Sequence, residues 1–260
     1  MCDAVGADVA EVARGIGLDP RIGADFLRPG IGFGGYCLPK DLRAFIYLAE
    51  QHHINFSLLK EVENVNQRRV DVCLAKLREA LWVLSGKTVA ILGGAFKPGT
   101  DDIREAPSLK IIERLLSEGA AVRIHDPQAM PNMQRVLPPD PGRLTYWPNP
   151  YEAARGADAL LLLTEWEEFR QLDLPRLRAL MAVAVVVDGR NCFDPGQLIR
   201  VGFEYFCIGR PGLQGLTSPG FRDRHRERAA PSKGRLPATK RRRLRTLVTG
   251  GAGFIGSHVC

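Results

Sequence analysis

Apolar residues recur along the chain with two periods, and the change between them falls near Gly86. Before it, Val5, Val9 and Val12 face one way, predicting a helix within residues 1–25 that Gly15-Ile-Gly-Leu-Asp-Pro20 brings to a stop. Leu42, Phe45, Ile46 and Ala49 keep the i, i+3, i+4, i+7 spacing of a second helix, ending near His52. Val62, Val65, Val70, Leu74, Leu77 and Leu81 mark a third, over 58–84. After Gly86, short continuous apolar runs predict strands at 88–92, 121–125, 158–164, 183–187 and 203–208. Helices at 108–118 and 172–181 lie among them, Gly119 stopping the first. Strands separated by helices give an α/β fold: a helical module, then an open parallel sheet with helices on both faces.

Ligands of such sheets lie beyond the carboxyl ends of the strands. Those ends carry Phe96-Lys97, Asp126-Pro127, Thr164-Glu-Trp166 and Asp188-Gly-Arg190-Asn191. Cations with an aromatic ring suit a nucleotide diphosphate, ring against base and charge against phosphate. NAD binding at this sheet is disfavoured, because the first turn reads Gly93-Gly-Ala-Phe-Lys-Pro and a bulky Phe-Lys-Pro obstructs a pyrophosphate turn.

The stretch from Phe26 to Asp41 holds Gly30, Gly32, Gly34 and Gly35 directly before Cys37. Glycines let the backbone enter positive φ and approach a ligand closely. Pro39 suits a first helical turn, so Cys37 is expected in a loop just before a helix N-terminus, where the macrodipole and Lys40 favour thiolate. A buried inert cysteine is the alternative reading. Asp41 admits a helix-capping role. Adjacent His52 and His53 cannot share a helix face as ligands, and no metal site is expected.

Composition changes this picture in two places. The six cysteines form no CxxC pair, which argues for a reducing, cytoplasmic setting, and no apolar run approaches the ~20 residues of a membrane span. The net charge of +7 hints at nucleic acid, yet residues 222–245 hold eleven Lys/Arg against Asp223 and Glu227. The remainder is slightly acidic, so a nucleic-acid partner is disfavoured.

Gly32-Phe-Gly-Gly-Tyr-Cys-Leu-Pro-Lys-Asp41 resembles the active-site loop of the UDP-glucose/GDP-mannose dehydrogenase family, with Tyr36 where Ser is common. Ala95-Phe-Lys-Pro-Gly-Thr-Asp-Asp-Ile-Arg-Glu-Ala-Pro-Ser108 resembles that family's UDP-binding domain, in its UDP-glucose rather than GDP-mannose form; Gly94 replaces the usual Leu, read as a mild packing loss. The resemblance covers about 1–215 and implies a Rossmann-like second domain. It implies Cys37 as nucleophile and Asp41 as the carboxylate activating water. Arg21 (sixteen residues before Cys37), Phe26, Arg28, Gly30, Phe33, Gly34, Phe96, Lys97 and Arg190 would bind UDP-glucose, released as UDP-glucuronate. Arg104 and Lys40 would meet NAD, the cofactor held mainly by a domain absent from this chain. A homodimer through 1–84 is expected, with little activity from the chain alone. The alternatives are a noncatalytic UDP-sugar-binding module and a GDP-mannose 6-dehydrogenase. The expected domains are 1–85, helical with the cysteine loop; 86–215, UDP-sugar-binding; 216–243, a disordered basic linker; and 244–260. This last stretch resembles the start of an extended short-chain dehydrogenase, through Gly250, Gly253 and Gly256, and is expected to be truncated.

Overall fold

The computed structural model describes residues 1–210. The basic linker and the short-chain-dehydrogenase-like stretch, with the last residues of the expected 86–215 domain, lie outside the described residues.

Four helices come first: α1 (Cys2–Val5), α2 (Val9–Gly17), α3 (Cys37–Gln51) and α4 (Ser57–Leu81). The single helix expected within 1–25 is therefore two. Gly6 leaves α1 in the left-handed conformation, and the Asp8 carboxylate starts α2 by accepting from Ala10 N at 2.8 Å. Val9 N also turns outward to Gly209 O at 2.8 Å, an attachment a continuous helix would forbid.

Six parallel strands follow: β1 (Thr88–Leu92), β2 (Ala121–His125), β3 (Leu144–Tyr146), β4 (Ala159–Leu162), β5 (Val185–Asp188) and β6 (Glu204–Cys207). Between them lie α5 (Pro107–Ser117), α6 (Met130–Val136), α7 (Pro150–Ala154), α8 (Glu167–Arg170), α9 (Leu174–Leu180) and α10 (Pro195–Val201). The sheet order is β3-β2-β1-β4-β5-β6, that of a Rossmann-like sheet. β3 was not expected; at three residues it is too short to show a period. The order reverses between β1 and β4, so a crevice opens beyond the carboxyl ends of these two strands.

β4 and β5 are buried at every position, as continuous apolar runs require when both faces of a parallel sheet are covered. The same core takes in Val70, Cys73, Leu74 and Leu77 of α4, which packs on β5, β6 and α5. α3, which begins at Cys37, packs against α4. The amino terminus is tied down too: Asp3 Oδ1 pairs with Lys76 Nζ at 2.7 Å, and Asp8 with Arg210 at 2.9 Å. No described helix is long and apolar enough to cross a membrane.

Candidate active site

Cys37 is exposed and is the first residue of α3, not part of the loop before it. Tyr36 is the N-cap and Pro39 sits in the first turn, where its missing N–H costs nothing. No side chain caps α3, so its first-turn amides and the helix dipole face the thiol's surroundings. Asp41 accordingly does not cap; its carboxylate pairs with Lys40, and both side chains are exposed.

The glycine loop is laid on the sheet from above and gripped from both sides. From the sheet, Arg190 donates Nε–H to Leu163 O at 2.8 Å, Nη1–H to Gly32 O at 3.4 Å and Nη2–H to Phe96 O at 3.4 Å. One guanidinium thus joins the ends of β4 and β1 to the loop. Burial lowers its pKa and Glu165, 3.4 Å away, opposes this, but an arginine stays charged. From α4, the Asn66 amide brackets Phe33, accepting from its N–H at 2.8 Å and donating to its carbonyl at 3.0 Å. Arg69 donates to Gly30 O at 3.1 Å.

Gly34 and Gly35 are among the glycines this fit needs. A Cβ on Gly35, whose φ is +82°, would stand 2.8 Å from the Phe96 ring, and one on Gly34 would stand 2.5 Å from Glu105 O. Gly35 N–H donates to Arg104 O at 2.8 Å, so residues 32–36 run alongside 102–106. Arg43 of α3 reinforces the pairing by bonding Glu105 at 2.9 Å and Glu63 of α4 at 2.8 Å.

The structure therefore brings together Gly30, Phe33, Gly34, Cys37, Lys40, Asp41, Phe96, Arg104 and Arg190. Phe96 and Arg190 fasten the loop to the sheet instead of standing free at the strand ends, while Lys97 is exposed with its ammonium 5.4 Å from the Phe96 ring centre. Arg21, Phe26 and Arg28 are exposed in the segment before the loop. Arg21 is forked over Asp19 at 2.6 Å, and Phe26 has φ 61° and is 90% exposed. Asn66 and Arg69 escaped notice in the sequence. They continue the Val70, Leu74 and Leu77 stripe toward the amino end of α4, and polar residues at buried-stripe positions were the available signal.

The turn after β1 does not fit a dinucleotide. Asp126, fully buried, accepts from Gly94 N at 2.7 Å and Ala95 N at 3.1 Å, the amides that would otherwise face a pyrophosphate. It also accepts from Ala129 N at 2.7 Å and Trp166 Nε1 at 3.1 Å. Gly94 is no packing loss: a Cβ there would lie 2.0 Å from Met133 Sδ, which fills the space.

Models of two domains of one family match the chain: "UDP-glucose/GDP-mannose dehydrogenase family, central domain" over 1–68 and the same family's "UDP binding domain" over 90–195. UDP-glucose 6-dehydrogenase of Pseudomonas aeruginosa is 45% identical over 216 residues, covering 81% of this chain and 47% of that protein. The Bacillus subtilis UDP-glucose 6-dehydrogenase TuaD is 40% identical over 219 residues, covering 84% and 47%. Among solved structures, a UDP-glucose dehydrogenase from Pyrobaculum islandicum superposes with a TM-score of 0.70 at 33% identity, over 80% of this chain and 45% of that one. The chain spans about half the length of the relatives it matches. Matched by two domain models that together span more than half its residues, the chain belongs to the UDP-glucose/GDP-mannose dehydrogenase family.

Proposed function

We propose that the chain is the nucleophile-bearing and UDP-sugar-binding part of a UDP-glucose 6-dehydrogenase. What carries this reading is the exposed Cys37 at the open start of α3, on a loop fastened by Arg190, Asn66 and Phe96 over the switch point of the sheet. A thiol so placed can attack a carbonyl carbon brought to the strand ends. In this mechanism the C6 alcohol of the sugar is first oxidised to an aldehyde, to which the Cys37 sulfur adds. The resulting thiohemiacetal is oxidised to a thioester that water hydrolyses, each oxidation giving up one hydride. Lys97 holds the diphosphate, Phe33 and Gly34 line the sugar side, and Asp41 receives the proton of the attacking water. Arg21, Phe26 and Arg28 complete the substrate site from the segment ahead of the loop. NAD, when bound, supplies the hydride acceptor. Because Asp126 occupies the β1 turn, NAD is assigned to a part of the enzyme outside the described sheet, with Arg104 and Lys40 at the boundary. The setting is the cytoplasm.

Self-association belongs to the same reading. Leu38, Phe45 and Leu48 on α3, with Ile54 and Leu58 beyond it, are all at least 41% exposed, an apolar surface suited to a second copy.

Titration calorimetry tests the substrate assignment. UDP-glucose is expected to bind the chain and GDP-mannose not to, and Lys97→Ala weakens UDP-glucose by about tenfold, as loss of a charge-assisted bond would. The same sample with UDP-glucose and NAD forms no NADH at an enzymatic rate. Failure of UDP-glucose to bind overturns the substrate assignment; rapid NADH formation overturns the placement of NAD.

A further inference from the structure

Tyr36 stands where the resembled family commonly has serine, and its surroundings give the ring a task. The Arg104 guanidinium lies 4.7 Å from the ring centre and the Lys40 ammonium 5.6 Å, both within cation–π range. Tyr36 and Lys40 are one helical turn apart, so they share a face of α3, and Cys37 adjoins the ring in sequence. Tyr36 is 53% exposed and does not cap the helix, so neither burial nor capping accounts for an aromatic residue here. Arg104 and Lys40 are each paired with a carboxylate, Asp102 and Asp41. Two exposed ion pairs are nearly neutral from a distance, and what a neighbouring sulfur feels depends on which member lies closer. The ring attracts the cation of each pair and not the carboxylate.

We propose that Tyr36 is a positioning residue for the nucleophile, its ring gathering Arg104 and Lys40 beside Cys37 so that positive charge speeds the attack of the sulfur. The proposal rests on the reading above only in taking Cys37 as the nucleophile. Electrostatic contributions accompany the geometry: Arg104 is held above the usual guanidinium range by Asp102 first, with Tyr36 and Cys37 adding to it. Lys40 is raised by Asp41 first, again with Tyr36 and Cys37 contributing.

The test is the rate of Cys37 carbamidomethylation by iodoacetamide, in which the sulfur displaces iodide and loses its proton to solvent, followed by site-resolved mass spectrometry on the full chain. Tyr36→Ser is expected to slow the reaction about threefold at low ionic strength, the scale of an exposed cation–π contact. The difference closes near ~1 M salt, where charges a few ångströms apart are screened. Tyr36→Phe, which keeps the ring, reacts at the unsubstituted rate. In an Arg104→Gln background the serine substitution has a smaller effect than alone, because the two act through one contact. Unchanged reactivity in Tyr36→Ser, a salt-independent loss, or a Phe variant as slow as the Ser variant overturns the proposal. So does a fall in the thermal midpoint of Tyr36→Ser, which would place the effect in loop folding. The dehydrogenase reading fails by a separate route, absence of UDP-glucose binding, which these rates do not consult.

Discussion

Burial sorts the described cysteines into inert and available thiols. It pushes Cys73 up to about 12, Cys192 to about 12 and Cys207 to about 11, while Cys37 is exposed at a helix start. Gly94 shows the same dependence on surroundings: with Met133 Sδ 2.0 Å from where its Cβ would be, Gly94→Leu overpacks the β1 turn. That substitution is expected to cost about 1–3 kcal/mol in denaturant unfolding, and Met133→Ala in the same chain to recover part of it. A neutral Gly94→Leu would contradict the account of this turn. The Cys37 stretch was legible in the sequence because its glycines, cysteine, proline and lysine sit within a dozen residues. The grips of Asn66, Arg69 and Arg190 were not, since each joins segments at least 33 residues apart and local spacing carries no trace of them.

At the scale of elements, the site depends on two strands of loop lying side by side, residues 32–36 and 102–106. Glu105 holds a left-handed backbone, φ 51°, beside Gly34, and its carboxylate is bound to Arg43. Arg43 holds the Glu105 carboxyl below its usual range, and Arg104 does the same for Asp102. Both carboxyls therefore bind protons less readily folded than unfolded. Their stabilisation is complete above the unfolded values, 4.5 and 3.8, and is lost as pH falls through the lower folded ones. The Gly35 amide, which donates to Arg104 O, reports this. Its hydrogen-exchange protection, corrected for intrinsic rates, is expected to fall as pH drops below 4.5, and Arg43→Gln to blunt the pH dependence. Protection indifferent to both would show that the ion pairs do not hold the loops together. Sequence periodicity anticipated the long elements, α3, α4, α5 and the buried strands, since burial imposes a pattern over many residues. It missed β3, α6, α7, α8 and α10, of three to seven residues, which show too few repeats. It merged α1 with α2 because Val5 and Val9 keep a helical interval across the Gly6 break.

For the whole molecule, one core joins α4 to the sheet, and the cysteine helix α3 packs against α4. The apolar surface of α3 remains on the outside, where Phe45 is 54% and Leu48 50% exposed. A dimer in sedimentation velocity is expected, and Phe45→Glu with Leu48→Glu reduces it to monomer without loss of helicity. A monomeric unsubstituted chain would remove self-association from the proposal. The central claim, that a reactive sulfur sits where the sugar of a UDP-sugar comes to rest, is tested most directly by labelling. Iodoacetamide at about pH 8 is added with and without saturating UDP-glucose, and each described cysteine is quantified by mass spectrometry. The account predicts that Cys37 is modified well ahead of Cys73, Cys192 and Cys207, and that UDP-glucose slows Cys37 alone; labelling of Cys37 at the same rate with and without the sugar nucleotide would contradict it.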